Sequence, residues 1–283
     1  MASWNTVVDA ASLAEVIDSP DIMVVDVRHS LADFALGKKL YDEGHLPGAF
    51  FADVEYDLAG KKTGANGRHP MPDPEQFVEF LQNLGVNEDT QIVAYDAGGD
   101  MFAARFWFLC RWIGHDAVAV LDGGIAAWRG GGFPISTQAH LPVKRGNIKA
   151  ELRPDTIVDA GYVSDRLNTD AMQLLDARAE DRFAGQNEHV DPVAGHIPGA
   201  RNRFFKHNYN ERGLWKSPEE LRAEFIALEL EPELVVHQCG SGVSAAVNEL
   251  AMIHAGFEPT RIYGGSWSEW IADESRPIAT GKD

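Results

Sequence analysis

The chain contains the same set of motifs twice, about 150 residues apart, and this repetition constrains its fold more than any other feature. The motif Gly-His-Leu-Pro-Gly-Ala at 44–49 returns as Gly-His-Ile-Pro-Gly-Ala at 195–200. A short apolar run that ends in Asp26 is matched by one that ends in Asp176. A period of this length indicates a duplicated domain and not a solenoid of short repeats.

Each copy alternates short apolar runs with helical patterns. In the first copy the apolar runs are 22–26, 92–95 and 117–121, and the helical patterns are 74–84 and 102–113. This alternation predicts the α/β class, with two tandem domains that each contain a mainly parallel sheet flanked by helices. We place the first domain at residues 1–140, a linker containing proline and glycine at 141–155, and the second domain at 156–283.

Composition excludes several classes of protein. The 283 residues carry a net charge of −18, which argues against nucleic acid or an anionic membrane surface as a partner. With only two cysteines, the chain has no disulfide framework. Its start shows no signal-peptide pattern, and it contains no apolar stretch of about 18 residues. We expect a cytoplasmic protein. The sequence contains no zinc-ligand spacing, Walker loop or dinucleotide-binding glycine motif, so we expect no metal and no cofactor.

Cys239 stands at the end of a predicted strand, 235–238, and is followed by a glycine-rich loop and a helical pattern. The backbone N–H groups of such a loop and of a helix N-terminus favour negative charge, and a thiolate is such a charge. Cys239 is therefore the candidate nucleophile. The sequence leaves open the alternative that it is a small buried apolar residue.

The residues after Cys239 are candidates for substrate binding and proton transfer. The loop amides would contact the substrate through Gly240, Gly242, Val243 and Ser244. The hydroxyl of Ser241 can face the same space and relay a proton, although a small residue in a turn is an equally good interpretation.

The duplication separates structural residues from catalytic candidates. In the first copy Asp96 stands where the cysteine should be, so only the second domain can perform thiol chemistry. Arg178 recurs as Arg28, and we expect both to pair with a neighbouring aspartate. Arg182 corresponds to Ala32 and is specific to the second copy, which makes it the candidate for binding an anionic substrate; a surface ion pair is the alternative.

A basic cluster in the first copy is unusual in so acidic a chain. Its members are Lys61, Lys62, Arg68 and His69. A solvated loop and a lip over the cysteine site are both compatible with the sequence.

The two Gly-His-x-Pro-Gly-Ala turns, the loop Cys-Gly-Ser-Gly-Val-Ser-Ala at 239–245 and the motif Gly-Gly-Ser-Trp-Ser-Glu-Trp at 264–270 together resemble the two-domain rhodanese family. That family comprises thiosulfate and 3-mercaptopyruvate sulfurtransferases, and the resemblance covers nearly the whole chain. It implies an inactive first domain, no cofactor, a small anionic sulfur donor and a thiol or cyanide acceptor. It also implies roles for individual residues: a persulfide on Cys239, anion binding by Arg182, proton relay by Ser241, and first-domain contributions from His69 and Glu55.

Two departures from the mercaptopyruvate pattern concern the donor. Those enzymes have a second substrate arginine about nine residues after the first, whereas 187–191 here reads Asn-Glu-His-Val-Asp; an arginine also stands at 203, where the family tends to have proline. The candidates to replace the missing arginine are Arg203, Arg201 and Arg68. The neutral Gly-Ser-Gly loop favours mercaptopyruvate and the missing arginine favours thiosulfate, so we expect activity with both and a preference for mercaptopyruvate.

Two other functions are alternatives to sulfur transfer. A cysteine phosphatase uses a similar loop but needs an arginine six residues after the cysteine, where this chain has Ala245. A non-catalytic binding module is the other alternative, and the glycine-rich cysteine loop argues against it.

Overall fold

The computed structural model describes residues 4–141 and 144–281. The chain divides into two compact units. The first comprises Met1–Gly60, Pro72–Arg153 and Tyr209–Trp215, and the second comprises Lys61–Met71, Pro154–Asn208 and Lys216–Asp283. Each unit therefore contains a short segment from the opposite half of the sequence. The predicted boundaries at 1–140, 141–155 and 156–283 stay a prediction, and residues 142 and 143 of the linker lie outside the described residues.

The first unit contains a five-stranded sheet in the order β1-β5-β4-β2-β3, in which neighbouring strands run parallel. Its strands are β1 (Val7–Val8), β2 (Ile22–Asp26), β3 (Phe50–Phe51), β4 (Gln91–Tyr95) and β5 (Val118–Leu121). Its helices are α1 (Ala10–Ala14), α2 (Leu36–Glu43), α3 (Pro74–Leu84), α4 (Phe102–Trp112) and α5 (Gly124–Gly130).

The second unit has the same arrangement, with a sheet in the order β6-β10-β9-β7-β8 whose neighbouring strands also run parallel. Its strands are β6 (Ile157–Val158), β7 (Gln173–Asp176), β8 (Arg201–Asn202), β9 (Val235–Gln238) and β10 (Arg261–Tyr263). Its helices are α6 (Ala160–Arg166), α7 (Glu180–Phe183), α8 (Pro218–Ala227), α9 (Ala245–His254) and α10 (Ser266–Trp270), with 3-10 turns at Pro154–Thr156, Phe205–Asn208 and Pro232–Leu234. The predicted pair of α/β domains is confirmed.

Local sequence determines where the helices begin. Asp73 accepts hydrogen bonds from the backbone N–H groups of Glu75 and Gln76, with Pro74 in the first helical position of α3. Ser217 and Glu220 form a reciprocal capping box at the start of α8. These caps satisfy backbone donors that a helix start leaves unpaired, and the predicted helix start at 74 is correct.

Each unit has its own apolar core. The first packs Trp128 and Tyr95 against the aliphatic residues of β2 and β4. The second packs Trp267, Trp270 and Phe183 in the same way. Cys110 is a fully buried free thiol within α4.

Candidate active site

Cys239 is the first residue after β9, which is the central strand of the second sheet. The carboxyl ends of parallel strands are the edge at which α/β proteins bind ligands, because the loops to the following helices gather there. The side chain of Cys239 is 2% exposed. Its predicted position at a strand end is confirmed, and its role stays a prediction.

The loop after Cys239 curls back over the sulfur. The backbone N–H of Gly242 donates a hydrogen bond to the Cys239 Sγ, with a nitrogen-to-sulfur distance of 3.1 Å. The loop then leads into α9, whose N-terminal end carries partial positive charge. The sulfur thus faces a hydrogen-bond donor and the N-terminal end of a helix. Residues 240–244 are all buried.

The start of α10 fixes the backbone of the cysteine loop. The hydroxyl of Ser266 accepts a hydrogen bond from the Cys239 N–H at 3.1 Å. The N–H groups of Trp267 and Ser268 donate to the carbonyls of Cys239 and Gly240 at 3.0 and 2.9 Å. Three successive residues of one helix therefore hold the three successive peptide groups that begin at the Cys239 N–H.

The first unit has a closely similar loop with a carboxylate in place of the thiol. The carboxylate of Asp96 follows β4 and accepts hydrogen bonds from the N–H groups of Gly98 at 2.9 Å and Ala103 at 3.1 Å. Its carbonyl accepts from the N–H of Ile125, as the Cys239 carbonyl does from Trp267. Burial, with a smaller contribution from the charge of Asp100, raises the pKa of Asp96 to about 7. The side chain of Asp96 thus occupies this loop.

The raised pKa of Asp96 predicts a pH dependence of stability. An acid whose pKa is higher in the folded than in the unfolded chain contributes stability below its unfolded value of about 3.9, and this contribution is lost as the pH rises through about 7. Asp96→Asn removes the titration and keeps the shape. We therefore expect the melting temperature of Asp96→Asn minus that of the wild type to increase between about pH 4 and about pH 8. A difference that does not vary with pH would contradict this assignment.

Ser241 and His69 are in direct contact. A hydrogen bond of 2.8 Å joins Ser241 Oγ and His69 Nδ1, and the two residues are 5% and 4% exposed. Both belong to the second unit, because the segment Lys61–Met71 is part of it. The hydroxyl therefore has a neighbour that can exchange protons with it.

The segment Lys61–Met71 is attached to the second unit at successive residues. The N–H of Arg68 donates to Ser268 Oγ at 3.0 Å. Gly67 has a φ of +84°, and a Cβ there would lie 2.7 Å from the carbonyl oxygen of Gly265, so only glycine permits this approach. Arg68 and His69 of the basic cluster thus lie beside the cysteine loop. For these two residues, the position agrees with a lip over the cysteine site and not with a solvated loop.

Arg182 lies in α7 with its guanidinium in an ion-pair network. Its Nε donates to the two carboxylate oxygens of Glu188 at 3.1 and 3.0 Å, and its Nη2 donates to Asp191 Oδ2 at 3.1 Å. The side chain is 23% exposed. Its Nη2 also lies 3.6 Å from the position that a Cβ on Gly240 would occupy, so the arginine borders the cysteine loop.

Arg68 approaches the same point. Its Nη1 forms an ion pair with Asp191 Oδ1, and its Nη2 lies 3.0 Å from the Cβ position of Gly240. Burial lowers the pKa of Arg68, and the charge of Arg182 lowers it further, while the negative charge available at Cys239 acts in the opposite direction. Two guanidinium groups therefore meet at the residue that follows Cys239.

Arg178 forms the pair with a neighbouring aspartate that the duplication predicts. It is 2% exposed, forms a 2.7 Å ion pair with Asp176, and donates to the Gly195 carbonyl at 2.8 Å. Arg28 forms the same pair with Asp26 at 2.6 Å in the first unit.

The other predicted residues occupy different places. Arg203 is buried against Phe225 and pairs with Glu224 at 3.0 Å, whereas Arg201 is exposed on β8. Glu55 belongs to the first unit, where its N–H donates to Asp53 at 2.8 Å, and its role stays a prediction.

Sequence reasoning missed the buried carboxylates of the site. Asp191 and Glu188 have side chains that are 1% and 2% exposed. Asp191 was noticed only as the absence of an arginine. What distinguishes Asp191 is its burial in a loop rich in charge. Burial is not visible in the sequence, so no sequence signal identifies this residue.

Two further observations concern the described residues alone. Within residues 4–141 and 144–281, no three or more His, Cys, Asp or Glu side chains are arranged to hold a metal ion. In the same part of the chain, the helices are too short or too polar to cross a bilayer.

Comparison with known proteins identifies relatives over nearly the full length. A model of the rhodanese-like domain matches residues 9–130 and again 159–273. A Pseudomonas aeruginosa protein named "Probable 3-mercaptopyruvate sulfurtransferase" is 44% identical, with 96% of this chain and 97% of that protein covered. The thiosulfate sulfurtransferase of Rattus norvegicus is 33% identical, with coverages of 99% and 97%.

A solved structure agrees with this result. The crystal structure of SseA from Escherichia coli, described in terms of the rhodanese fold and the mechanism of 3-mercaptopyruvate enzymes, superposes with a TM-score of 0.81 at 32% identity. The match covers 94% of this chain and 99% of that one.

Proposed function

The chain belongs to the two-domain rhodanese family, and we propose that it transfers a sulfane sulfur from 3-mercaptopyruvate or thiosulfate to cyanide or a thiol through a persulfide on Cys239. The observation that carries the proposal is the cysteine loop, in which the Gly242 N–H is directed at the Cys239 Sγ. The first unit has Asp96 in the equivalent loop. The chemistry is therefore assigned to the second unit alone.

The first half-reaction is a displacement at sulfur. The Cys239 thiolate attacks the thiol sulfur of mercaptopyruvate, a sulfur–sulfur bond forms, and the sulfur–carbon bond breaks. The electron pair of that bond leaves with the carbon as the enolate of pyruvate, which then takes up a proton. With thiosulfate the same attack falls on the outer sulfur and releases sulfite. Either route leaves one sulfur on Cys239.

We propose that the pair of Ser241 and His69 supplies the proton. The enolate needs one proton, and the Ser241 hydroxyl lies two residues after the nucleophile in the same loop. Its hydrogen bond to His69 Nδ1 allows the imidazole to replace the proton that the hydroxyl gives up. Sulfite needs no such proton, so this pair favours mercaptopyruvate.

The second half-reaction returns the enzyme to its starting state. Cyanide or a thiolate attacks the terminal sulfur, and the electron pair of the sulfur–sulfur bond returns to Cys239. The Gly242 N–H that stabilises the starting thiolate stabilises it again as the leaving group. These steps balance without a metal or an organic cofactor, and we propose that none is used.

Arg182 is the proposed anion-binding residue. A guanidinium binds a carboxylate or a sulfonate through paired donors, and Arg182 borders Gly240 with part of its surface exposed. The ion pairs to Glu188 and Asp191 fix its orientation before the donor arrives. The predicted alternative, a surface ion pair, describes the contacts of Arg182 with Glu188 and Asp191. The position beside Gly240 supports the binding role in addition.

The donor preference is tested by steady-state kinetics with both donors at one pH and with cyanide as acceptor. We expect turnover of both, with a higher kcat/KM for mercaptopyruvate because of the proton relay. A kcat/KM for thiosulfate more than about tenfold higher, a barrier difference of about 1.4 kcal/mol, would overturn the preference. Absence of sulfur transfer from either donor would overturn the proposed function itself.

A further inference from the structure

Two arginines, and not one, border the cysteine loop. The Nη2 atoms of Arg68 and Arg182 lie 3.0 and 3.6 Å from the position of a Cβ on Gly240. They arrive from parts of the sequence that are more than a hundred residues apart. A Cβ at 240 would be in tight contact with the nearer guanidinium, which would have to shift by a few tenths of an ångström, so the glycine leaves room for this convergence.

Asp191 holds the two arginines side by side. One of its carboxylate oxygens pairs with Arg68 Nη1 and the other with Arg182 Nη2. Each arginine therefore uses one edge of its guanidinium for the ion pair. Two like charges this close would repel each other without the shared carboxylate, which makes Asp191 the residue that positions them.

The accessible side of this cluster is cationic. The side chains of Arg68 and Arg182 are 30% and 23% exposed, whereas those of Asp191 and Glu188 are 1% and 2% exposed. The guanidinium groups are thus more accessible to an anion than the carboxylates, and Asp191 Oδ2 also lies 3.7 Å from the Cβ position of Gly240.

We propose that Arg68 is the second donor-binding arginine and that, with Arg182, it gives the site its preference for a 2-oxo acid over thiosulfate. This inference rests on the proposed function for the identity of the donor. A 2-oxo acid presents a carboxylate and an adjacent carbonyl oxygen that becomes negative in the enolate, and two forked cations can hold both. Thiosulfate has one compact sulfonate end, which a single arginine and the loop amides can bind.

The test measures binding without turnover. Pyruvate, which carries the same carboxylate and carbonyl, is the probe, and protection of Cys239 from alkylation by iodoacetamide is the readout. We expect Arg68→Ala to raise the pyruvate concentration for half-protection roughly tenfold or more, the loss of one charge-assisted hydrogen bond. Arg68→Lys, which keeps the charge but not the fork, should give a smaller increase. Arg201→Ala removes an exposed arginine on β8 and serves as the matched control.

Kinetics with both donors then separate binding from positioning. Arg68→Ala should lower kcat/KM for mercaptopyruvate roughly tenfold or more and that for thiosulfate by less than about threefold. Equal losses with the two donors would show that Arg68 acts only by holding Arg182, and would overturn the inference. So would a wild-type Cys239 that pyruvate does not protect, or unchanged protection in both Arg68 variants. Protection by pyruvate in a protein that transfers no sulfur would instead overturn the proposed function and leave the site standing.

Discussion

Cys239→Ser is expected to abolish sulfur transfer from both donors, with kcat below about one part in 10³ of the wild-type value. Serine has nearly the same shape, so the hydrogen bond from Gly242 and those from α10 can persist. A hydroxyl is not ionised at neutral pH and cannot carry a sulfane sulfur under these conditions. The variant therefore removes the chemistry and leaves the fold.

The matched control is the other cysteine of the chain. Cys110 is fully buried in α4 of the first unit, and burial raises the pKa of its thiol well above the ordinary value. We expect Cys110→Ala to retain most of the activity and to lower the melting temperature, because it leaves a small cavity in the core. Activity that follows Cys110 and not Cys239 would refute the assignment of the nucleophile.

Arg182→Ala is expected to lower kcat/KM for either donor by roughly 10- to 150-fold, since a hydrogen bond to a charged group contributes about 1.5 to 3 kcal/mol. The loss follows from removing the guanidinium next to Gly240. Glu188 keeps partners in the variant, because it also accepts hydrogen bonds from the backbone N–H groups of Val190 and Asp191. Arg182→Lys should recover part of the loss through its charge. Steady-state kinetics on all three proteins measure the effect.

The comparison with Arg178→Ala separates binding from stability. Arg178 is buried against Asp176 and the ring of Trp267, and removing one partner of a buried ion pair costs about 3 to 5 kcal/mol of unfolding free energy. We expect this variant to lose stability and Arg182→Ala to lose activity. If the two variants exchanged these effects, the use of the internal duplication to distinguish structure from function would be wrong.

The main elements of the fold are predictable because local sequence specifies them. The predicted helix at 74–84 agrees with α3, since Asp73 caps its start and Gly85 ends it in a left-handed conformation. The two-residue strands β1, β3, β6 and β8 were not predicted. A run of two residues contains no period, and such strands form only because the neighbouring longer strand offers them hydrogen bonds.

The candidate site is predictable where one loop contains it and not where distant segments meet. Cys239 and Ser241 follow from the loop itself, and Arg182 follows from the comparison of the two copies. The position of Arg68 depends on the packing of Lys61–Met71 onto the second unit, which no local pattern specifies. Asp191 acquires its meaning only from the two arginines that it joins.

The central claim, a covalent sulfur on Cys239, is tested most directly by intact-protein mass spectrometry. The protein is treated with excess mercaptopyruvate without an acceptor, and then with cyanide. The account predicts that the wild type gains the mass of one sulfur atom and loses it on addition of cyanide, and that Cys239→Ser gains none. Equal labelling of the two proteins, or a label located on Cys110, would contradict it.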